Sequence, residues 1–187
     1  MPPSNRGSYQ NGHSPPITMC VKLSMRQLQE LDLADNVECA LRRAALDPKR
    51  LKLKIMETMA MDDEQHVIGV LQELSALVVR LALDDFGSGY SSLNYVKDLP
   101  VDELKIDKSF IDGLGEDAVN DAIVRLIVDF AHTLGLEVTA EGVENDRQVV
   151  SLTAITCDLT QGFYFSKPLP SEAAGRSWRR TLVRVHR

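Results

Sequence analysis

Two adjacent carboxylates, Asp84-Asp85, close an apolar run and are followed at once by Gly87-Ser88-Gly89. Neighbouring carboxylates repel, so burying both demands a cation beside them. Where a strand ends and the chain turns, both can face one site. Oxygen-only donors of that kind suit Mg²⁺, Mn²⁺ or Ca²⁺ rather than zinc. Two such ions about 4 Å apart can activate a water for phosphodiester hydrolysis. The alternative is a solvated Asp-Asp turn. The glycines either wrap backbone donors around a phosphate or serve a mobile loop of positive φ.

The other candidate groups also fall at strand ends. Lys105 lies among apolar neighbours and either holds a water or phosphate oxygen by charge or forms a structural ion pair. Glu141, after Val-Thr-Ala, is a ligand or an ion-pair partner, and Glu144 follows three residues on. Gln161 precedes a glycine, where a plain turn residue is the simpler reading. Lys22, Lys54, Glu57, Asp107 and Asp158 complete the set. The four histidines, His13, His66, His132 and His186, are scattered and suggest no ligand set.

These groups need a scaffold, and the apolar periodicity supplies one. Strands are predicted at 17–23, 51–56, 78–83, 101–106 and 136–140, with a last strand region between 155 and 165. Helices are predicted from the Ser24 cap through Leu46, and over 62–77, 91–98, 118–134 and 145–152. Such alternation argues for parallel strands with helical crossovers, whose functional groups gather at the C-terminal strand ends.

Composition excludes several classes. The 187 residues are 44% hydrophobic with net charge −6, enough for one core. A closed (β/α)8 barrel runs to about 250 residues and rarely under about 200, so the chain is short for one. No apolar run reaches the roughly 20 residues of a membrane span. An acidic pI near 5.2 argues against nucleic-acid polymers as partners. Three scattered cysteines make neither a disulfide framework nor a zinc site, so a reduced, cytoplasmic protein is expected. Three segments follow: a disordered leader over 1–16, a domain over 17–170, and a basic C-terminal helix or tail over 171–187 holding five arginines and one glutamate.

The stretches LALDDFGSGYSSLNYVKDLPVDELKIDKSFIDGL, VTAEGVEN and CDLTQGFYFSKPLP, in that order, resemble the EAL-domain family of cyclic di-GMP phosphodiesterases, from about Met19 to Pro170. The resemblance implies a bacterial signal-transduction protein with an α/β fold. That fold would be an incomplete (β/α)8 TIM-like barrel of the EAL type, lacking the first strands and helices, with one antiparallel strand. It implies hydrolysis of cyclic di-GMP to the linear dinucleotide with two Mg²⁺ or Mn²⁺ ions. On that resemblance Asp84, Asp85 and Glu141 are metal ligands. Lys105 contacts the attacking water, and Gln161 stands beside the metal–water network. Lys105, Glu141 and Gln161 then form the catalytic group. Glu144 matches the glutamate holding the glycine loop 85–92, with Gly87 and Gly89, a loop that often contributes to dimerisation.

The departures from the family pattern bear on activity. The Glu-Ala-Leu signature and the arginine after it are absent, with roughly the first third of the domain. Where the family has an asparagine ligand in an Asn-Leu-Ser turn, this chain has Lys22. Where it has the first glutamate of Glu-Ile-Thr-Glu, this chain has Lys54, and only Glu57 remains. An ammonium offers no lone pair and repels a divalent ion. The expectation is that Lys22 and Lys54 neutralise the remaining carboxylates, that the first metal site is lost, and that hydrolysis is very slow or absent. The chain would then act in cyclic di-GMP signalling by nucleotide binding or protein contact. The alternatives are a metal-dependent phosphodiesterase completed by oligomerisation and a non-functional gene remnant. An open barrel leaves edges unpaired, so self-association through loop 85–92 or the open edge is also expected.

Overall fold

The computed structural model describes residues 18–58, 64–87, 96–170 and 183–184. Seven strands form one sheet in sequence order: β1 (Met19–Lys22), β2 (Leu51–Met56), β3 (Arg80–Phe86), β4 (Glu103–Ile106), β5 (Glu137–Ala140), β6 (Leu159–Thr160) and β7 (Val183–Arg184). The first six run parallel, each to the next, and β7 pairs antiparallel with β6. The helices are α1 (Met25–Leu28), α2 (Leu33–Ala44), α3 (Glu64–Ala76), α4 (Lys108–Ile111), α5 (Ala118–Thr133) and α6 (Asp146–Ala154). Part of a barrel results. Its outer sheet face, with Leu53, Ile55, Leu81, Leu83, Leu104, Ile106 and Val138, joins Leu71, Leu74, Val124, Val128 and Leu152 of the helices in one core.

The inner face is polar. In β2 the alternation of LKLKIM turns Leu51, Leu53 and Ile55 outward and Lys52 and Lys54 inward. Lys52 pairs with Glu103 two strands away, and Arg80 Nη1 lies 2.9 Å from Glu137 Oε2, again skipping a strand. Adjacent strands are about 4.8 Å apart, so such pairs fit a concave inner surface.

Local chemistry sets the boundaries. Ser24 and Gln27 form a capping box at α1, and Asn145 and Gln148 form another at α6. Gly135, at φ +75°, ends α5. The single helix expected from Ser24 to Leu46 is instead two, separated by residues 29–32. Leu28 and Leu33 are both buried, and residues five apart on one helix point about 140° from each other. The break lets both reach the core. The strand expected over 78–83 is displaced to Arg80–Phe86, because Val78 adopts φ +62° at the end of α3. Within the segment expected as a basic helix or tail, the described pair Val183–Arg184 is strand.

Candidate functional site

The extension of β3 brings both aspartates into the strand end. Asp85 takes φ +58°, and the β3–β4 register shifts between Leu83 and Phe86. A strand otherwise sends successive side chains to opposite faces; this bulge turns Asp85 back toward the face of Asp84. One carboxylate oxygen each from Asp84, Asp85 and Glu141 then lie within 4.8 Å of one another. A left-handed non-glycine residue costs roughly 1–3 kcal/mol, strain of the kind that gathers at functional sites.

Three ammonium groups meet these three carboxylates. Lys54 Nζ donates to both oxygens of Asp84, at 3.2 and 2.9 Å. Ala82 lies opposite Lys54 in the register and leaves its side chain room to reach Asp84 one pleat further on. Lys105 Nζ donates to Asp84 Oδ1 at 3.0 Å and also to Glu141 Oε1. Lys22, beside Lys54 on β1, approaches from the rim, 3.9 Å from Asp84 and 3.6 Å from Asp85. The cluster is therefore charge-balanced by side chains alone. Burial pushes the Asp84 carboxyl up, but the Lys105 charge and the hydrogen bonds from Lys54 and Lys105 outweigh it and hold the group below its ordinary range. Burial lowers Lys54 as well, yet its bond to Asp84 leaves it above the usual lysine value. Lys105 is held below that value, by burial first and by the nearby Lys54 charge, with Asp84 opposing both.

The remaining candidates are placed as follows. Gln161 reaches the same strand-end face, where its N–H donates to Ala140 C=O, one residue before Glu141. Its side chain makes no hydrogen bond among the described residues. The Glu144 carboxylate pairs with Lys108 at 2.6 Å, and the glycine loop beyond Gly87 that it is expected to hold lies outside the described residues. The carboxylate on the described start of the loop is Glu57, buried, whose Oε2 accepts from Gly87 N–H at 2.8 Å. Glu57 follows β2, next to β3 and Gly87. Gly87, at φ +94°, packs its α-carbon against the Phe110 ring, so a side chain there is excluded twice over. Gly89 and loop residues 88–92 lie outside the described residues. Asp107 caps α4 by accepting from Ser109 N–H at 2.9 Å. Asp158 lies at the opposite end of the sheet from the cluster, ahead of β6, and binds Val138 N–H and His132 Nε2 at 2.9 and 2.8 Å. Cys157 is buried and its thiol pushed up to about 12, which makes it inert.

Asp84, Asp85 and Glu141 form a hard oxygen donor set that could hold a divalent cation. Fitting a pair of ions is another matter, because Lys54 and Lys105 already occupy both oxygens of Asp84. Among the described residues no helix is long and apolar enough to cross a membrane.

Comparison with known proteins matches this arrangement. The model of the EAL domain family covers residues 6–168, starting ahead of the domain boundary expected at residue 17. The signaling protein YkoW of Bacillus subtilis is 42% identical over 83% of this chain and 20% of its own length. The bifunctional diguanylate cyclase/cyclic di-GMP phosphodiesterase MucR of Pseudomonas aeruginosa is 44% identical over 82% of this chain and 22% of its own. The chain thus spans about a fifth of these curated relatives. Among solved structures, the MucR phosphodiesterase in complex with c-di-GMP superposes with a TM-score of 0.79 at 44% identity, over 83% of this chain and 63% of that one. The EAL domain of Mycobacterium smegmatis DcpA gives 0.82 at 34% identity, over 88% and 74%. With the strand order, the paired aspartates and all three comparisons in agreement, the chain belongs to the EAL domain family of cyclic di-GMP signalling.

Proposed function

We propose that this chain is an EAL domain in which lysines have taken over the charge-balancing task of a divalent ion, so that it binds cyclic di-GMP or a protein partner without hydrolysing the nucleotide. The observation that carries this reading is Lys54 Nζ seated on both oxygens of Asp84, at 2.9 and 3.2 Å. A metal-activated water needs an ion with an open coordination position, and an ammonium provides none. In the charge-balanced cluster, an incoming divalent ion must displace Lys54 or bear its repulsion. A single Mg²⁺ or Mn²⁺ would be held by Asp84, Asp85 and Glu141, with Lys105, hydrogen-bonded to Asp84 and Glu141, and Gln161, on the same strand-end face, acting on a bound phosphate or water.

A second reading has specific support. Asp84, Asp85, Glu141 and Lys105 still converge, which favours a metal-dependent phosphodiesterase completed by a further copy or chain. Calorimetric titration with cyclic di-GMP, in EDTA and in Mn²⁺, separates the two. Binding that persists in EDTA, with the nucleotide recovered intact after incubation in Mn²⁺, is the expected result. Mn²⁺-dependent appearance of the linear dinucleotide would sink the first reading and support the second.

A further inference from the structure

The turn after Glu141 is held by a buried glutamine. Gln148, in the first turn of α6, is 2% exposed, and its side chain makes three hydrogen bonds. Its Oε1 accepts from Glu144 N–H at 2.7 Å and from Asn145 N–H at 3.2 Å. Those two bonds close the start of the helix, and a glutamate would close it equally well. Its Nε2 donates to Ile111 C=O at 2.9 Å, a carbonyl that also takes Leu114 N–H at 3.1 Å. Only the amide can make that third bond, because a carboxylate is an acceptor and would face the carbonyl without a proton between them. The choice of glutamine over glutamate is therefore set by Ile111.

Ile111 is the last residue of α4, and α4 touches both carboxylate-bearing turns. On one side Phe110 packs on Gly87, two residues past Asp85, and Asp107 N–H donates to Phe86 C=O at 3.3 Å. On the other side Lys108 pairs with Glu144 at 2.6 Å and covers Gly142, next to Glu141, so closely that any Cβ would overlap it. Glu141 N–H is fixed on Ile106 C=O at 3.2 Å, just ahead of α4. Its side chain meets Lys105 and closes on Asp84 and Asp85. The helix thus braces the Asp84–Asp85 turn against the Glu141 turn, and Gln148 ties its C-terminal end to the second of them.

We propose that Gln148 is a positioning residue: through Ile111 and α4 it fixes the Glu141 carboxylate relative to Asp84 and Asp85, and so sets the affinity of this donor set for a divalent cation. This rests on the single-ion reading above and adds to it a residue that lies outside the donor set. Groups that orient metal ligands from behind typically govern affinity by about 10–100-fold.

Mn²⁺ calorimetry on the full chain carrying Lys54→Glu, where binding is expected to be tight, tests this with Gln148→Glu, Gln148→Met and Leu152→Ala added in turn. Gln148→Glu keeps the helix cap and loses the donor; Gln148→Met loses all three bonds without adding a charge. Each is expected to weaken Mn²⁺ binding about tenfold. Leu152, fully buried on the same helix, is the control. Its truncation is expected to lower the melting temperature and leave the Mn²⁺ affinity of the folded chain unchanged. Coupling is reciprocal, so Mn²⁺ is also expected to slow hydrogen exchange at the Glu144 amide with Gln148 present, and to have no such effect in Gln148→Met. Unchanged affinity in both Gln148 variants, an equal loss in Leu152→Ala, or Glu144 exchange indifferent to Mn²⁺ overturns the positioning role and leaves the single-ion reading standing. A Lys54→Glu chain that binds no Mn²⁺ overturns both.

Discussion

Replacing Lys54 by glutamate, alone and with Lys22→Asn, isolates what the ammonium groups do to metal affinity. Lys54 Nζ lies 2.9 Å from Asp84, and its side chain is 21% exposed. Two unit charges about 4 Å apart interact by about 1 kcal/mol in water, and the figure doubles against a divalent ion. Taking this water-screened limit, Lys54→Met relieves about 2 kcal/mol of repulsion on a metal at Asp84. Lys54→Glu changes the charge by two units and relieves about 4 kcal/mol. At 1.4 kcal/mol per factor of ten, these correspond to roughly thirtyfold and roughly a thousandfold tighter binding. Lys22 is farther away, at 3.9 and 3.6 Å, and 47% exposed, so Lys22→Asn adds less, at most about tenfold. Without metal, Lys54→Glu places a carboxylate against buried Asp84 and costs about 3 kcal/mol of stability. A bound ion restores it by mass action. The assay is Mn²⁺ titration by calorimetry, with melting curves in EDTA and in Mn²⁺. Expected are weak binding by wild type, tight binding by Lys54→Glu, and a lowered melting temperature that Mn²⁺ recovers. Equal Mn²⁺ affinity in wild type and Lys54→Glu would refute the reasoning, as would two tight sites on the wild type.

Other consequences follow from the same interior. Lys52→Met leaves Glu103 buried without its cation and is expected to cost about 3–5 kcal/mol in urea unfolding. Lys52→Met with Glu103→Leu should recover most of that loss; a double variant as unstable as the single one would contradict it. Asp84 is held below its ordinary carboxyl value of 3.8, so its contribution to stability is fully present above that pH and is lost as pH falls through its lower folded value. Lys54→Met removes part of the cause and narrows the gap between the folded and ordinary values, so the loss of melting temperature on acidification below that ordinary value is expected to be smaller than in wild type; an unchanged limb would count against the pairing. Glu57→Ala removes the acceptor of Gly87 N–H and is expected to cost about 1–3 kcal/mol, with faster hydrogen exchange at the Gly87 amide as its local signature.

Much of the scaffold is readable from local pattern, and the failures have a common cause. Leu51–Met56 alternates strictly and is the strand found, and Ser24 caps the helix it precedes. The face of Lys54 follows from the same alternation. The split between α1 and α2 does not, because it depends on where Leu28 and Leu33 meet the rest of the core. The bulge at Asp85 depends on the register with β4, which no local window contains. Lys52 shares the face of Lys54 in the alternation, a signal that it is internal, but its partner Glu103 lies 51 residues on and two strands away. The same distance effect hides Glu57: it follows β2, and only the strand order places it beside Gly87.

The most direct test is chemical. The full chain, incubated with cyclic di-GMP in saturating Mn²⁺, is analysed by chromatography for the linear dinucleotide alongside Lys54→Glu/Lys22→Asn. A cluster balanced by lysines predicts intact cyclic di-GMP from the wild type. Multiple turnovers by the wild type would contradict it.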